Sequence, residues 1–577
     1  MKIIIGINAY HADSSACIII DGELIAAVEE ERLNRQKHYS GYPLKSIEEC
    51  LKIANIKSTQ ITDFAFNTKP LSNLLPKTIH FIKNFELKKN YSTERYFKKI
   101  SIEKLLYEKF ELSKNIKFHF IEHHLAHIAS AYYPSGFNKC IGLSIDGSGD
   151  FVTCAIAKCY NNKIKIIEKI NFPHSLGIFY HGMTQFLGYK NYGDEYKIMG
   201  LAAYGKPKYF QKIKDNLFKF QSDKLIELNL EFFNHHKPGY KYITGDDLKI
   251  DQICNEKLDD LFFNELNNKN NYDEFSKDFA SSVQKVYEFF FNKIIAKIVS
   301  KKFSNNLVFS GGCALNSSAN RYLTNNKDNF QNVYINYAPG DNGGAIGAAL
   351  VVTNKYKKNT LTSKSPYLGP KFTNDEIKII LENNPYKNNI SYEFYEDPKK
   401  LFEKSAKIIS EGNIVGWFQD KMEFGPRALG NRSILADPRN PGMKDIINKR
   451  IKRRESFRPF APVILKSFQD KWFESEFVNP YMSSLSLVKE NKQKLIPAVT
   501  HVDGSARLQT VDKETNFKLA NLIEEFYKIT NVPVLLNTSF NENEPIVMKP
   551  NEALDCILRN DFDFLIMEKF LIKKNFK

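Results

Sequence analysis

KIIIGINAY, Lys2 to Tyr10, followed by ACIIIDGELIAAV, Ala16 to Val28, is the stretch that decides the fold. Its apolar runs are short and rich in β-branched residues, so each reads as a strand. Asp21-Gly22 joins the last two, the pair that a two-residue type I′ hairpin turn prefers. The pattern then returns: CIGLSIDGSGD, Cys140 to Asp150, leads into FVTCAIAKCY, Phe151 to Tyr160, the turn Asn161-Asn162, and KIKIIEKI, Lys163 to Ile170. One three-strand unit occurs twice.

Such a duplication, with helices between the copies, resembles the layout of the actin-like ATPases and sugar kinases, where ATP lies between two halves. The expected fold class is therefore α/β, with a duplicated actin-like, sugar-kinase-type ATPase domain first. In both copies the opening turn is small and polar, HADSS at His11 to Ser15 and DGSGD at Asp146 to Asp150. Turns of this kind can present backbone N–H groups to phosphates. Further on, NLVFSGGCALNSSANRYL, Asn306 to Leu323, reads as strand, glycine turn and helix. Gly311 and Gly312 permit close backbone approach, and the helix start beyond them favours anions. APGDNGGAIGAAL places Asp341 just before a helix of small residues.

At 577 residues the chain is too long for one ordinary core. The composition turns polar between Tyr356 and Lys400, which sets the expected domains at 1–360 and 396–577, with a linker over 361–395. The second domain mixes apolar strands such as PVLLNTSF with helical stretches such as NLIEEFYKIT, so it too is expected to be α/β. Hydrophobic residues make up 42% and charged residues 26%, as in a globular protein. No apolar run reaches the ~20 residues of a membrane span. Met1 to Tyr10 reads as a buried strand, not a signal peptide. Eight scattered cysteines without a CxxC pair argue for a reducing compartment, the cytoplasm. The net charge of +16 is diffuse, which argues against a nucleic-acid partner. The lysines thicken between Lys77 and Lys117, where amphipathic helices with solvated basic faces are expected.

The sharpest local feature is EHHLAH, in which His123 and His127 share one face of a helix at metal-ligand spacing. Two such histidines are more often structural, but the ATPase-like surroundings favour ligands. Asp146 and Asp341 could complete a mixed set suited to iron, manganese or zinc. His124 lies on another face and reads as a packing or supporting residue. His11, in the first polar turn, could act as a base or charged donor, or simply pack. In the second domain FGPRALGNRSIL and KRRESFRPFAP concentrate Arg427, Arg432, Lys452, Arg453, Arg454 and Arg458 among glycine, proline and aromatic residues. That composition suits a shaped oxyanion pocket better than an open charged face. Arg507 and Ser539 are isolated polar residues at strand-like edges.

Taken in order, HADSSA, EEERLNRQKH, EHHLAHIASAYYPSGF, LSIDGSGD, GDEYKIMGLAAYG, SGGCALN, GDNGGAIGAAL, FGPRALGNRSIL, ESFRPFAP, DGSARLQTV and LNTSFN resemble the NodU/CmcH family of O-carbamoyltransferases across nearly the whole chain. The resemblance implies an N-terminal domain similar to the tRNA threonylcarbamoyl-transfer protein and a C-terminal domain similar to YrdC. It implies two reactions. In the C-terminal domain carbamoyl phosphate is hydrolysed, and carbamate attacks ATP, with Mg²⁺, to give carbamoyl-adenylate and pyrophosphate. In the N-terminal domain a hydroxyl of a small sugar or natural-product acceptor takes the carbamoyl group and AMP leaves. Carried over by position, His123, His127, Asp146 and Asp341 are the metal ligands, with Fe²⁺ the expected ion. His11 orients the adenylate or deprotonates the acceptor. Arg427, Lys452, Arg458, Arg507 and Ser539 hold carbamoyl phosphate and the adenylate, and Gly311, Gly312 and Asn316 match a nucleotide-contacting loop. A homodimer is implied by the resemblance alone. The acceptor is expected against Lys77 to Lys117 and Phe210 to Asp273. Two other readings stay open: a tRNA threonylcarbamoylation enzyme, and a metal-dependent sugar kinase or ATPase switch that would release ADP.

Overall fold

The computed structural model describes residues 1–83, 101–220, 224–245, 248–267, 272–357, 364–385 and 387–575. The chain divides into two compact units, Met1–Lys364 and Ser365–Lys577.

The first unit is built from two sheets with the same plan. β1 (Ile3–Asn8), β2 (Ser15–Ile20), β3 (Glu23–Glu29), β4 (Asp63–Phe66) and β5 (Lys117–Phe120) stand in the order β3-β2-β1-β4-β5. β6 (Lys139–Gly149), β7 (Val152–Tyr160), β8 (Lys163–Asn171), β9 (Asn306–Ser310) and β10 (Asn332–Ile335) stand in the order β8-β7-β6-β9-β10. In each sheet the first three strands form an antiparallel meander, and the central strand pairs in parallel with the fourth, which pairs in parallel with the fifth. The expected duplication is thus present at the level of topology. Asp21 and Gly22 both have positive φ, 47° and 95°, as the hairpin turn requires.

Each copy ends in a helix that begins just after its fifth strand: α1 (His123–Ser135) and α2 (Asp341–Tyr356). These helices cross in direct backbone contact, since a Cβ on Gly347 would stand 1.8 Å from the Ala126 carbonyl oxygen. α2 also lies against β1, where a Cβ on Gly6 would meet the Ala345 oxygen at 2.1 Å. Small residues in GGAIGAAL are therefore packing devices. Between Lys77 and Lys117 helices run over Leu74–Lys83 and Ile102–Lys109, and residues 84–100 lie outside the described residues.

Apart from a two-stranded ribbon of Ser486–Leu487 and Ser505–Ala506, the second unit is built around one eight-stranded mixed sheet. Its strands are β11 (Ile390–Phe394), β12 (Val415–Phe418), β13 (Arg432–Ala436), β14 (Ala461–Leu465), β15 (Gln509–Val511), β16 (Val534–Ser539), β17 (Phe564–Met567) and β18 (Phe570–Lys574), ordered β11-β18-β17-β12-β13-β16-β14-β15. The expected linker over 361–395 is corrected here. Asn374–Asn383 forms a helix with a Thr373/Glu376 capping box and buries Ile377 and Leu381, while β11 pairs with β18. The segment looked like a linker because β11 is an edge strand with only Ile390 buried, so its composition is polar.

Arg432, grouped by sequence with the oxyanion arginines, is instead a core strut. Its fully buried guanidinium lies 3.6 Å over the Phe418 ring and donates to the carbonyls of Gln419, Asn431, Asp420 and Pro370 at 2.6 to 3.2 Å. Burial lowers its pKa to about 10, against the pull of Glu423 and Glu568. Arg432→Met should cost about 3 kcal/mol or more, because several buried carbonyls lose their donor at once. Gly6→Ala should cost about 1–3 kcal/mol by overpacking β1 against α2. Denaturant unfolding of the two variants beside wild type checks both figures.

Candidate functional site

The crossing of α1 and α2 brings the first residue of each, His123 and Asp341, to one point, and the end of β6 brings Asp146 to meet them. His123 Nε2 lies 3.1 Å from Asp146 Oδ2 and 3.4 Å from Asp341 Oδ1. His127 Nε2, one turn along α1, lies 3.6 Å and 3.3 Å from the same atoms and 3.0 Å from His123 Nε2. Ligand atoms held about 2.1 Å from one ion stand about 3.0 to 3.4 Å apart, so the spacing suits a single cation. Asp341 Oδ1 is buried with no hydrogen-bond partner among the described residues, as are Nδ1 of His123 and of His127. Two imidazoles and two carboxylates suit iron, manganese or zinc. The residues present fit a divalent ion.

Burial opposes charge on every member, yet the attraction between them prevails. Asp146 and Asp341 stay below the ordinary carboxylate range beside the two histidines, and the carboxylates push His123 up to about 10 and His127 upward. His124 behaves differently. Its Nε2 donates to the Val152 carbonyl and its Nδ1 pairs with Ser144 Oγ, each at 2.9 Å, and burial with the two neighbouring imidazoles pushes it down to about 3. It is a neutral packing residue, as its helix face suggested.

Around the ligand set, the polar turns also serve the cluster itself. Gly312 N–H donates to Asp146 Oδ1 at 2.9 Å and Gly311 N–H to the Pro339 carbonyl at 2.7 Å. The glycine turn therefore grips a ligand carboxylate, and its two amide donors are engaged by protein. Gly311 has φ of 91°, and a Cβ there would strike the Ile145 oxygen at 2.2 Å. Asn316 caps the helix Ser317–Thr324 by accepting from Ala319 N–H, and it pairs with the Gln284 amide. In the second polar turn Asp150 accepts from the backbone N–H groups of His123 and Lys69 and from Thr68 Oγ1. In the first, His11 stacks on the His123 ring at 4.7 Å with Nδ1 3.9 Å from Asp341 Oδ2.

Sequence reasoning missed several polar residues nearby. His38 Nδ1 lies 2.8 Å from Asp13 Oδ1, and His181 Nδ1 lies 2.6 Å from Glu195 Oε1. The Tyr192 ring stands 5.5 Å from His38 and 6.2 Å from His181. Their motifs, EEERLNRQKH and GDEYKIMGLAAYG, were visible, but the pairings arise only in three dimensions.

In the second unit Lys452 and Ser539 come together. Lys452, 1% exposed on the turn Asn448–Lys452, donates to the carbonyls of Ser539 and Asn541 at 2.5 and 2.7 Å and to Asn541 Oδ1 at 2.7 Å. Arg507 is the second focus. Burial, then repulsion from Arg427, Arg454 and Arg458, drives its pKa well below the ordinary value. Its Nε is buried without a hydrogen-bond partner among the described residues. Arg454 is steered by Asn448 Oδ1 at 2.7 Å and by the Phe460 ring, and Arg458 lies 3.6 Å from Glu455. Arg453 turns outward to Glu542. Three guanidinium groups thus repel a fourth whose Nε donor is unmet, an arrangement that an oxyanion would relieve.

Comparison with known proteins accords with both halves. The family model described as Carbamoyltransferase N-terminus matches residues 3–350, and that described as Carbamoyltransferase C-terminus matches residues 406–574. An uncharacterized protein of Synechocystis sp. is 38% identical over all of this chain and 97% of its own length. Nodulation protein NolNO of Sinorhizobium fredii is 34% identical over 98% of this chain and 80% of its own, and an uncharacterized protein of Methanocaldococcus jannaschii is 30% identical over 99% of each. Matched along both units and over nearly its full length, the chain belongs to the carbamoyltransferase family.

Proposed function

We propose that this carbamoyltransferase is ATP-dependent, forms carbamoyl-adenylate from carbamoyl phosphate in its second unit, and passes the carbamoyl group to a hydroxyl of a small-molecule acceptor in its first. The observation that carries the reading is the buried, unpartnered Arg507 Nε among Arg427, Arg454 and Arg458. An anion would offset the repulsion within such a cluster, and phosphate and carboxylate forks match guanidinium geometry.

In the second unit water cleaves carbamoyl phosphate to carbamate and phosphate, and a carbamate oxygen attacks the α-phosphorus of ATP, expelling pyrophosphate. Arg427, Arg458 and Arg507 hold the oxyanions, with Arg454 beside them. Lys452 is clamped by Ser539 and Asn541, and we assign that pair to the same oxyanions. Activation is needed because carbamate is a poor acyl donor, whereas AMP is a good leaving group. In the first unit His11 orients the adenylate, and the backbone at Gly311, Gly312 and Asn316 lets a nucleotide approach closely. A divalent ion held by His123, His127, Asp146 and Asp341, iron by resemblance or else manganese or zinc, would supply Lewis acidity there. The eight buried, unpaired thiols support a cytoplasmic placement, and no helix among the described residues is long and apolar enough to cross a membrane.

Incubation with ATP, Mg²⁺, Fe²⁺ and carbamoyl phosphate, without acceptor, should release pyrophosphate only when carbamoyl phosphate is present. Arg458→Ala should abolish that release. ADP in place of pyrophosphate, or turnover indifferent to carbamoyl phosphate, would refute the proposal in favour of a kinase. Elemental analysis after anaerobic Fe²⁺ loading should find about one ion per chain in wild type and near none in His127→Ala or Asp341→Asn. Because the ion-free cluster holds His123 up to about 10, loading near neutral pH must displace a proton. Apparent metal affinity should therefore rise with pH, about tenfold per unit for each proton displaced, and fall on acidification.

A further inference from the structure

The Asp13–His38 pair has the form of a proton acceptor. Asp13 takes Nδ1 of His38 at 2.8 Å, which fixes the tautomer whose Nε2 carries the lone pair. That Nε2 has no hydrogen bond among the described residues, and both side chains are 27% exposed. The pair is also held rigidly. His38 N–H donates to Glu31 Oε2 at 2.8 Å, and Ser14 N–H donates to the Tyr39 carbonyl at 2.8 Å, so residues 38–39 are laced to the turn that carries His11. A Cβ on Gly193 would stand 2.5 Å from His38 Nε2, so glycine there leaves the imidazole room.

Tyr192 links this pair to the ligand cluster. Its ring meets His38 edge-on at 5.5 Å, and burial, then the negative charges of Asp341 and Asp13, push its hydroxyl pKa well above the ordinary value. His11, by contrast, is packed on the face of His123 with Nδ1 turned to Asp341. The imidazole that is both carboxylate-backed and open is His38.

We propose that His38, oriented by Asp13, accepts the proton of the acceptor hydroxyl during carbamoyl transfer, and that His11 is a positioning residue. The inference rests on the carbamoyl-adenylate reading of the first unit. In the step, the hydroxyl oxygen forms a bond to the carbamoyl carbon, the bond from that carbon to the AMP phosphate oxygen breaks, AMP departs with the electron pair, and the hydroxyl proton moves to His38 Nε2. Asp13 offsets the imidazolium charge as it appears. The other charged or titratable groups around His38 are Glu31, Lys37, Tyr192 and Glu195.

The test uses the full chain with ATP and carbamoyl phosphate, with water as the hydroxyl nucleophile and hydroxylamine as one whose nitrogen attacks before losing a proton. His38→Ala should keep the first-turnover pyrophosphate burst and slow AMP release into water by roughly 10²-fold. It should leave hydroxylamine-driven AMP release within about twofold of wild type, and added imidazole should restore the water reaction. The rising alkaline limb of the wild-type pH profile should vanish in the variant. Equal loss with both nucleophiles, no loss with water, or the nucleophile-selective loss appearing in His11→Ala instead would overturn the assignment. Absence of the pyrophosphate burst in wild type would instead refute the adenylate reading itself.

Discussion

The first unit depends on one contact, the crossing of α1 and α2 with backbone against backbone at Gly347 and Ala126. Each helix starts at the end of the fifth strand of its own sheet, so the crossing sets the separation of the two helix starts. His123 and Asp341 are those first residues, and their ligand atoms come to 3.4 Å. A side chain at Gly347 would push the helices apart and open that distance, whatever else was preserved. Packing one residue away from His127 thus sets the spacing of the cluster. The same crossing explains why the ligands fall at equivalent places in a duplicated design: the two copies meet where their equivalent helices begin.

Electrostatics divides the units in opposite senses. In the first, two carboxylates and two imidazoles converge in a buried volume, an arrangement that a cation relieves. In the second, the guanidinium groups of Arg427, Arg454 and Arg458 bear on the buried Arg507, an arrangement that an anion relieves. The overall charge of +16 describes neither. What matters is that charge is held away from water, where Coulomb interactions are strong: two carboxylates beside two raised imidazoles in the first unit, and guanidinium beside guanidinium in the second. A carbamoyl-adenylate route needs both surroundings, one gathering phosphate oxyanions and one polarising a carbonyl.

The duplication was legible because strands leave a period-two pattern and a turn dipeptide, and both repeat. The i, i+4 pairing of His123 and His127 was legible for the same local reason. Asp146 and Asp341 were visible as polar residues at element ends that could complete the histidine set, and the resemblance then assigned them to it. The polar stretch after Tyr356 misled because an edge strand and a capped amphipathic helix have the composition of a linker. Arg432 misled because a string of letters does not distinguish an arginine that serves six carbonyl contacts in the core from one that serves a ligand. The Asp13–His38 and His181–Glu195 pairs left no periodic signal, since their partners belong to different elements.

The glycine turns carry a structural task that local reading did not anticipate. SGG and DGSGD suggested cradles for phosphate, because glycine frees backbone donors. Here the donors of Gly311 and Gly312 are spent on Pro339 and Asp146, and a Cβ on Gly149 would lie 2.1 Å from the His123 ring. The missing side chains let a strand end and a helix start close on two ligands. Asp146 then has one oxygen facing the histidines and the other held by Gly312 N–H, so it cannot swing away from the cluster. Asp150, at the far end of the same turn, holds the His123 amide. Two turns, one on each side, thus keep Asp146 and His123 in register within the cluster.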